Sequence, residues 1–231
     1  MPLDVKICGI GDAAALDAAV RTGARLVGFV FFARSPRALT LPAAAALAGS
    51  VPAGVLRVGL VVDAADDEIA RICAAVPLDL LQLHGAESPG RVAEVRARFR
   101  LPVIKAIGVA HAGDLAPADA YAAVADWLLF DARPPADATR PGGNAQAIDW
   151  RLLAGRSWPV PWLLAGGLHA GNLAEAVRLS GAAAVDVSSG VEDAPGHKSA
   201  ALIRAFLAEA ARIAALAATP AVAPGTGAAY M

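Results

Sequence analysis

The chain reads as an α/β protein of 231 residues, a single (β/α)8 TIM barrel. Three observations carry that reading. Eight short apolar runs alternate with alanine-rich segments of helical spacing over residues 1–213, which is the βα repeat of such a barrel. The barrel leaves no second domain's worth of sequence. The first apolar run ends without the Gly-x-Gly-x-x-Gly turn that the competing architecture, a doubly wound open sheet, would want.

Residues 4–10, Asp-Val-Lys-Ile-Cys-Gly-Ile, are too short and too β-branched for a helix and form the first strand. Side chains alternate along a strand, so Asp4, Lys6 and Cys8 share one face and Val5 and Ile7 the other. Asp12 caps a helix that runs to about Arg21 and closes at Gly23. Residues 26–32 give the second strand, followed by a loop with Arg34, Pro36 and Arg37. A helix from about Pro42, a strand over 55–62 and a helix with Ile69, Ile72, Cys73 and Val76 at core spacing come next. Residues 80–85 with a helix from Ser88 make the fourth unit, and the fifth strand begins at Pro102. A short helix within 117–125 leads to the sixth strand, 127–131. Residues 132–147 then carry Pro134, Pro135, Pro141, Gly142 and Gly143, an irregular segment of the length of a lid or binding loop. Asp149 restarts a helix, residues 162–167 and 183–188 supply the last strands, and an amphipathic helix from about Lys198 ends the barrel. Residues 214–231, rich in Ala, Pro, Gly and Thr, are predicted to be a disordered tail.

Composition excludes several classes of function. A net charge of −1 offers no field to nucleic acid or acidic lipid. No apolar run is long enough to cross a bilayer, and charged Asp4 and Lys6 at the N-terminus do not suit a signal peptide, so a cytoplasmic location is expected. Two cysteines without CxxC spacing suggest neither a disulfide framework nor a metal pair, and no His/Asp/Glu cluster has metal spacing. Small neutral or anionic metabolites remain as ligands.

Barrel chemistry sits at the C-terminal ends of the strands. Alternation places Cys8, Gln82 with His84, Asp131, and Asp186 with Ser188 inward or at the rim, with Lys6 and Lys105 deeper on the same phase. Barrel interiors hold mainly Val, Ile and Leu. These polar groups therefore either satisfy one another, as Lys6 would with Asp4 or Asp186, or serve a ligand. Gln82, His84 and Asp186 are candidate substrate contacts. Cys8 taken alone reads as a small buried hydrophobe; two residues from Lys6, it is also a thiol whose pKa a cation could lower. Gly166-Gly167 and Ser188-Ser189-Gly190, in the loops after the seventh and eighth strands, suit a phosphate. Arg37, after the second strand, matches a carboxylate, or else stands with Arg34 as a solvated loop cation. His111, His169 and His197 read as surface residues.

Taken in order, Lys6-Ile7-Cys8-Gly9-Ile10, Gly28-Phe29-Val30-Phe31 before Ser35-Pro36-Arg37, Gln82-Leu83-His84-Gly85, Asp131 before Gly142-Gly143 and Asp149-Trp150, Ala165-Gly166-Gly167-Leu168 with Asn172, and Val185-Asp186-Val187-Ser188-Ser189-Gly190-Val191-Glu192 resemble the phosphoribosylanthranilate isomerase family over residues 5–206. The resemblance implies an Amadori rearrangement of N-(5′-phosphoribosyl)anthranilate in tryptophan biosynthesis, with Asp131 as general acid and Cys8 as general base. It further implies that Arg37 holds the anthranilate carboxylate and that Gly166, Gly167, Ser188, Ser189 and Gly190 hold the phosphate. Asp131 would start protonated and Cys8 ionised, with burial acting on the acid and a cation such as Lys6 on the thiol. The implied partner is a small-molecule substrate with phosphate and carboxylate groups, acted on without a cofactor by a monomer or homodimer. Gly142-Gly143-Asn144-Ala145 departs from the family's usual Gly-Gly-Thr-Gly, and Gly11, Ala15 and Ser199 replace the usual threonine, aspartate and aspartate. Two other readings stay open at this point: a related phosphate-handling barrel, such as a ribosyl-phosphate isomerase of histidine synthesis or an indole-forming lyase, and a catalytically silent barrel that binds a phosphorylated ligand.

Overall fold

The structure is a computed structural model that describes residues 3–133 and 148–218. Eight parallel strands close in chain order: β1 Asp4–Cys8, β2 Leu26–Val30, β3 Leu56–Val61, β4 Leu80–Leu83, β5 Val103–Val109, β6 Trp127–Ala132, β7 Trp162–Leu164 and β8 Ala184–Val187. Around them lie α1 Ala13–Arg21, α2 Leu41–Gly49, α3 Asp66–Ala75, α4 Pro89–Phe99, α5 Ala118–Ala122, α6 Leu173–Ser180 and α7 Ala200–Ala218. Helix starts follow the capping residues. Asp12 accepts from the Ala15 amide at 2.8 Å and Ser88 from Arg91 at 3.2 Å, each satisfying one of the first-turn donors that a helix leaves unpaired.

One side-chain phase of each strand fills the barrel. Leu26, Val58, Leu80, Ile104, Leu129 and Leu163 form a deep interior cluster, with Cys8, Val30 and Leu60 grouped together as a smaller one. The other phase, including Val5, Ile7, Val27, Phe29 and Phe130, packs on the helices.

Several expectations are corrected. Lys105 lies between the interior residues Ile104 and Ala106, so it points out of the barrel. There it donates to Gly85 O at 2.7 Å and Glu87 Oε2 at 2.6 Å, close to the Tyr121 ring. Cys73 is half-buried rather than core. The helix expected from Asp149 is a single 3-10 turn, Trp150–Leu153, because Gly155 follows at φ +68°. A two-stranded hairpin, β9 Glu192–Ala194 with β10 His197–Lys198, stands unanticipated between β8 and the last helix. Helix α7 continues to Ala218, past the boundary expected at 213, since Ala-Ala-Leu-Ala-Ala is strongly helix-forming. The rest of the expected tail, 219–231, and the lid segment with Gly142-Gly143-Asn144-Ala145 lie outside the described residues. No helix among the described residues is long and apolar enough to cross a membrane.

Candidate active site

The C-terminal ends of the strands carry the polar interior. On β1, Lys6 is fully buried and donates to Asp186 Oδ1 on β8 at 2.9 Å; the two are cross-strand neighbours in register. Of the partners open to Lys6 from sequence, Asp186 is therefore the one it pairs with. Cys8, two residues on and also inward, lies beside Lys6 and is only 4 % exposed. Its neighbour on β2 is Gly28, where a Cβ would come within 3.1 Å of both the Cys8 Sγ and the Lys6 Nζ. The missing side chain at 28 is what leaves room for this thiol and ammonium.

The electrostatics of the pair differ from expectation. Burial works against the Lys6 charge, but Asp186 and Cys8 outweigh it and the ammonium is held above its ordinary value. Cys8 is pushed up, not down: burial dominates, Lys6 pulls the thiol back, and Asp186 pushes it further up. A lysine already neutralised by a carboxylate attracts a thiolate less than a bare one does.

Separated from β1 by β7 and β8, β6 presents Asp131 to the same mouth. Its Oδ1 accepts from the Ala132 amide at 2.8 Å and its Oδ2 lies 3.2 Å from His84 Nε2 on the loop after β4. His84 Nδ1 in turn lies 2.7 Å from Gln82 Nε2. Gln82 and His84 are two residues apart, so alternation aims both inward, and Ala106, the small interior residue of the intervening β5, leaves a gap for the histidine to cross. Two of the expected substrate contacts thus bond one another, and one of them, His84, lies against the expected acid. Gly166, at φ +86°, closes over this group; a Cβ there would meet the Ala132 amide at 2.7 Å and Asp131 Oδ1 at 3.2 Å.

The two expected anion positions also face the mouth. Gly166 and Gly167 both have positive φ, and Asn172 ties their loop by donating to Gly167 O and accepting from the His169 amide. Gly190 is pressed so closely on Leu168 that a Cβ would fall 1.8 Å from the Leu168 carbonyl. The loop after β8 is therefore pressed at Gly190 against the loop after β7. Arg37 is not a solvated loop cation. It is 6 % exposed and bidentate to Glu192, Nε to Oε1 at 2.6 Å and Nη2 to Oε2 at 2.7 Å. Its stem crosses the end of β1, where a Cβ on Gly9 would strike the Arg37 Cδ at 2.6 Å. Lys198 completes the group, donating to Glu192 Oε1 at 2.5 Å and to Ser188 O at 2.9 Å.

Glu192 and Lys198 had no role in the sequence reading. Glu192 sits 155 residues from Arg37. The available signal was a glutamate two residues past Ser-Ser-Gly with a lysine six residues on, a spacing that many surface loops share.

Comparison with known proteins identifies the family. A family model described as N-(5′-phosphoribosyl)anthranilate (PRA) isomerase matches residues 5–209. The chain is 59 % identical over 210 residues to the N-(5′-phosphoribosyl)anthranilate isomerase of Paracoccus denitrificans, covering 91 % of this chain and 98 % of that one. It is 58 % identical to the Rhodospirillum centenum protein of the same name, over 92 % of this chain and 100 % of the other. Among solved structures, the phosphoribosyl anthranilate isomerase of Thermotoga maritima superposes with a TM-score of 0.82 at 34 % identity, covering 91 % of this chain and 99 % of that one. A phosphoribosyl anthranilate isomerase in complex with reduced 1-(o-carboxyphenylamino)-1-deoxyribulose 5-phosphate does so with 0.78 at 32 % identity, with the same coverage. Barrel, inward thiol and carboxyl, glycine-serine rim and these matches lead to one conclusion: the chain belongs to the N-(5′-phosphoribosyl)anthranilate isomerase family.

Proposed function

We propose that the chain performs its family's reaction, converting N-(5′-phosphoribosyl)anthranilate into 1-(2-carboxyphenylamino)-1-deoxyribulose 5-phosphate, with Asp131 as acid and Cys8 as base. The observation that carries this reading is that a carboxyl and a thiol beside a buried lysine, from β6 and β1, face one mouth between a buried guanidinium and a glycine-serine surface. Asp131 gives its proton to the ribose ring oxygen as the C1′–O4′ bond breaks, and the anilino nitrogen supplies the electron pair for the Schiff base. Cys8, once its thiol has released its proton to solvent, takes the C2′ proton as thiolate to give an enolamine, which tautomerises to the ketone. A thiol held above its ordinary value yields a stronger base once ionised, and Lys6, kept as an ammonium, faces the thiolate as it forms.

Arg37 holds the anthranilate carboxylate through Nη1. Among the described residues that nitrogen has no partner, while Glu192 fixes Nε and Nη2. The phosphate rests on Gly166, Gly167, Ser188, Ser189 and Gly190. Every group comes from one chain, which suits a monomer or a homodimer equally. A reducing compartment, the cytoplasm, preserves the free thiol.

Cys8→Ser and Asp131→Asn are each expected to lower kcat by about 10²–10⁴-fold while binding of a product analogue persists. Turnover near wild type in either variant removes that residue from the scheme. Rescue of a tryptophan auxotroph lacking this step, together with assays on the histidine-branch substrate, separates this reaction from that of a neighbouring barrel.

A further inference from the structure

The least explained polar side chain in the interior is Gln82. It is fully buried on β4, yet only one end of its amide is used: Nε2 meets His84 Nδ1 at 2.7 Å, and Oε1 has no partner among the described residues. Burying half an amide without a bond costs stability, so a leucine would serve the fold better there. The geometry gives the other half a purpose. An amide N–H can bond a neutral imidazole nitrogen only where that nitrogen is bare. With Nδ1 bare, the imidazole proton sits on Nε2, the nitrogen that faces Asp131 Oδ2 at 3.2 Å. Asp131 Oδ1 is meanwhile held by the Ala132 amide. Each oxygen of the acid thus has an N–H group beside it, bonded from its own strand at Oδ1 and set by Gln82 through His84 at 3.2 Å from Oδ2.

We propose that Gln82 and His84 are positioning residues for Asp131: Gln82 selects the Nε2-protonated form of His84, and His84 holds the carboxyl in the rotamer from which it delivers its proton. This rests on the assignment of Asp131 as the acid. It replaces the reading of Gln82 and His84 as substrate contacts. The loop that carries His84 is braced to match. Glu87 accepts from the amides of Asp63 and Gly85 and from Lys105, so the histidine is supported from outside the barrel as well as from Gln82. When Asp131 loses its proton, the two donors are already aimed at the new carboxylate, which avoids reorganisation at the moment of transfer.

The test reads the imidazole directly. Nitrogen-15 spectra of the histidines, with the His84 signals assigned from their loss in His84→Gln, are expected to show Nδ1 bare and Nε2 protonated. Gln82→Met is expected to give a mixture of the two forms and to lower kcat about tenfold with KM unchanged. Gln82→Glu, whose ionised side chain only accepts, is expected to draw the proton onto Nδ1 with a comparable loss, and serves if the methionine variant fails to fold. His84→Ala should lose about 100-fold in kcat, and His84→Gln, whose amide can still donate to Asp131, should recover part of it. A proton on Nδ1 in the wild type overturns the proposal. So does a Gln82→Met enzyme with unchanged spectrum and kcat, or a loss confined to KM. An Asp131→Asn enzyme that still turns over would remove the acid assignment while leaving the spectrum intact. A contrary spectrum beside an inactive Asp131→Asn removes only the relay.

Discussion

Cys8 shows how one buried thiol is set by burial and its charged neighbours, chiefly Lys6 and Asp186 with a smaller downward pull from Lys198. Burial pushes it up, Lys6 pulls it down and Asp186 pushes it up again; Lys6 and Asp186 are themselves bonded at 2.9 Å, so neither acts alone. The signs give a test. Asp186→Asn removes the anion and leaves the ammonium facing the sulfur, so the thiol should ionise at lower pH than in the wild type. Lys6→Met paired with Asp186→Asn removes both charges without stranding either, and burial then dominates, moving ionisation to higher pH. Thiolate absorbance in a Cys73→Ser background, scanned from neutral pH upward, reads both shifts. If the order of the midpoints is reversed, the sulfur does not answer to this pair. Gly28→Ala should disturb the same thiol by contact rather than charge, since the new methyl would lie 3.1 Å from Cys8 Sγ and Lys6 Nζ, and kcat should fall.

The strands and loops show which parts of the site the sequence could specify. Two-residue alternation was enough for Cys8 with Lys6, Gln82 with His84, and Asp186 with Ser188, because within each pair the phase is shared whichever face is inward. It failed for Lys105. Residues 103–107 are apolar on both phases apart from that lysine, so hydrophobicity does not say which side is the interior, and the counter-charge, Glu87, lies in another βα unit. The Arg37–Glu192 pair was illegible for a related reason: only barrel closure brings the β2 loop to the hairpin after β8. Loop contacts of this kind can be tested with glycines. Gly190→Ala would set a methyl 1.8 Å from the Leu168 carbonyl and pry the two rim loops apart. Losing one or two charge-assisted bonds to phosphate should raise KM for the phosphorylated substrate about 10- to 100-fold. Gly11→Ala, where nothing lies within 4 Å, should leave KM alone. Equal effects of the two changes would count against the rim as the phosphate seat.

Across the molecule, buried charge joins the beginning of the chain to its end. Parallel pairing of β1 with β8 closes the cylinder, and over that closure lie Lys6–Asp186 and the Arg37–Glu192–Lys198 group, whose partners stand 180, 155 and 6 residues apart. Glu192 is the centre of the second group, with both cations and the carboxylate nearly out of reach of water. Burial by itself would raise its carboxyl, but the bonds from Arg37 and Lys198 more than offset that and hold it below the ordinary 4.5. Removing one partner of a buried ion pair strands the rest at a cost of about 3–5 kcal/mol, so Glu192→Gln should lower Tm by roughly 10 °C at neutral pH. The pH dependence follows from the sign of the shift. A carboxyl whose folded-state pKa is depressed contributes stability that is complete above its unfolded value and is lost as pH falls through the folded one. Burial pushes Lys198 below its ordinary value, still far from the acid range, so in this group only Glu192 titrates there. The Tm gap between wild type and Glu192→Gln should therefore be widest at neutral pH and narrow steadily below about 4.5, as the wild-type carboxyl gains the proton that the amide variant mimics. Melting curves of both proteins from pH 7 to pH 3 would measure it, and a gap that stays constant across that range would mean that the charge on Glu192 does not hold the two ends of the barrel together.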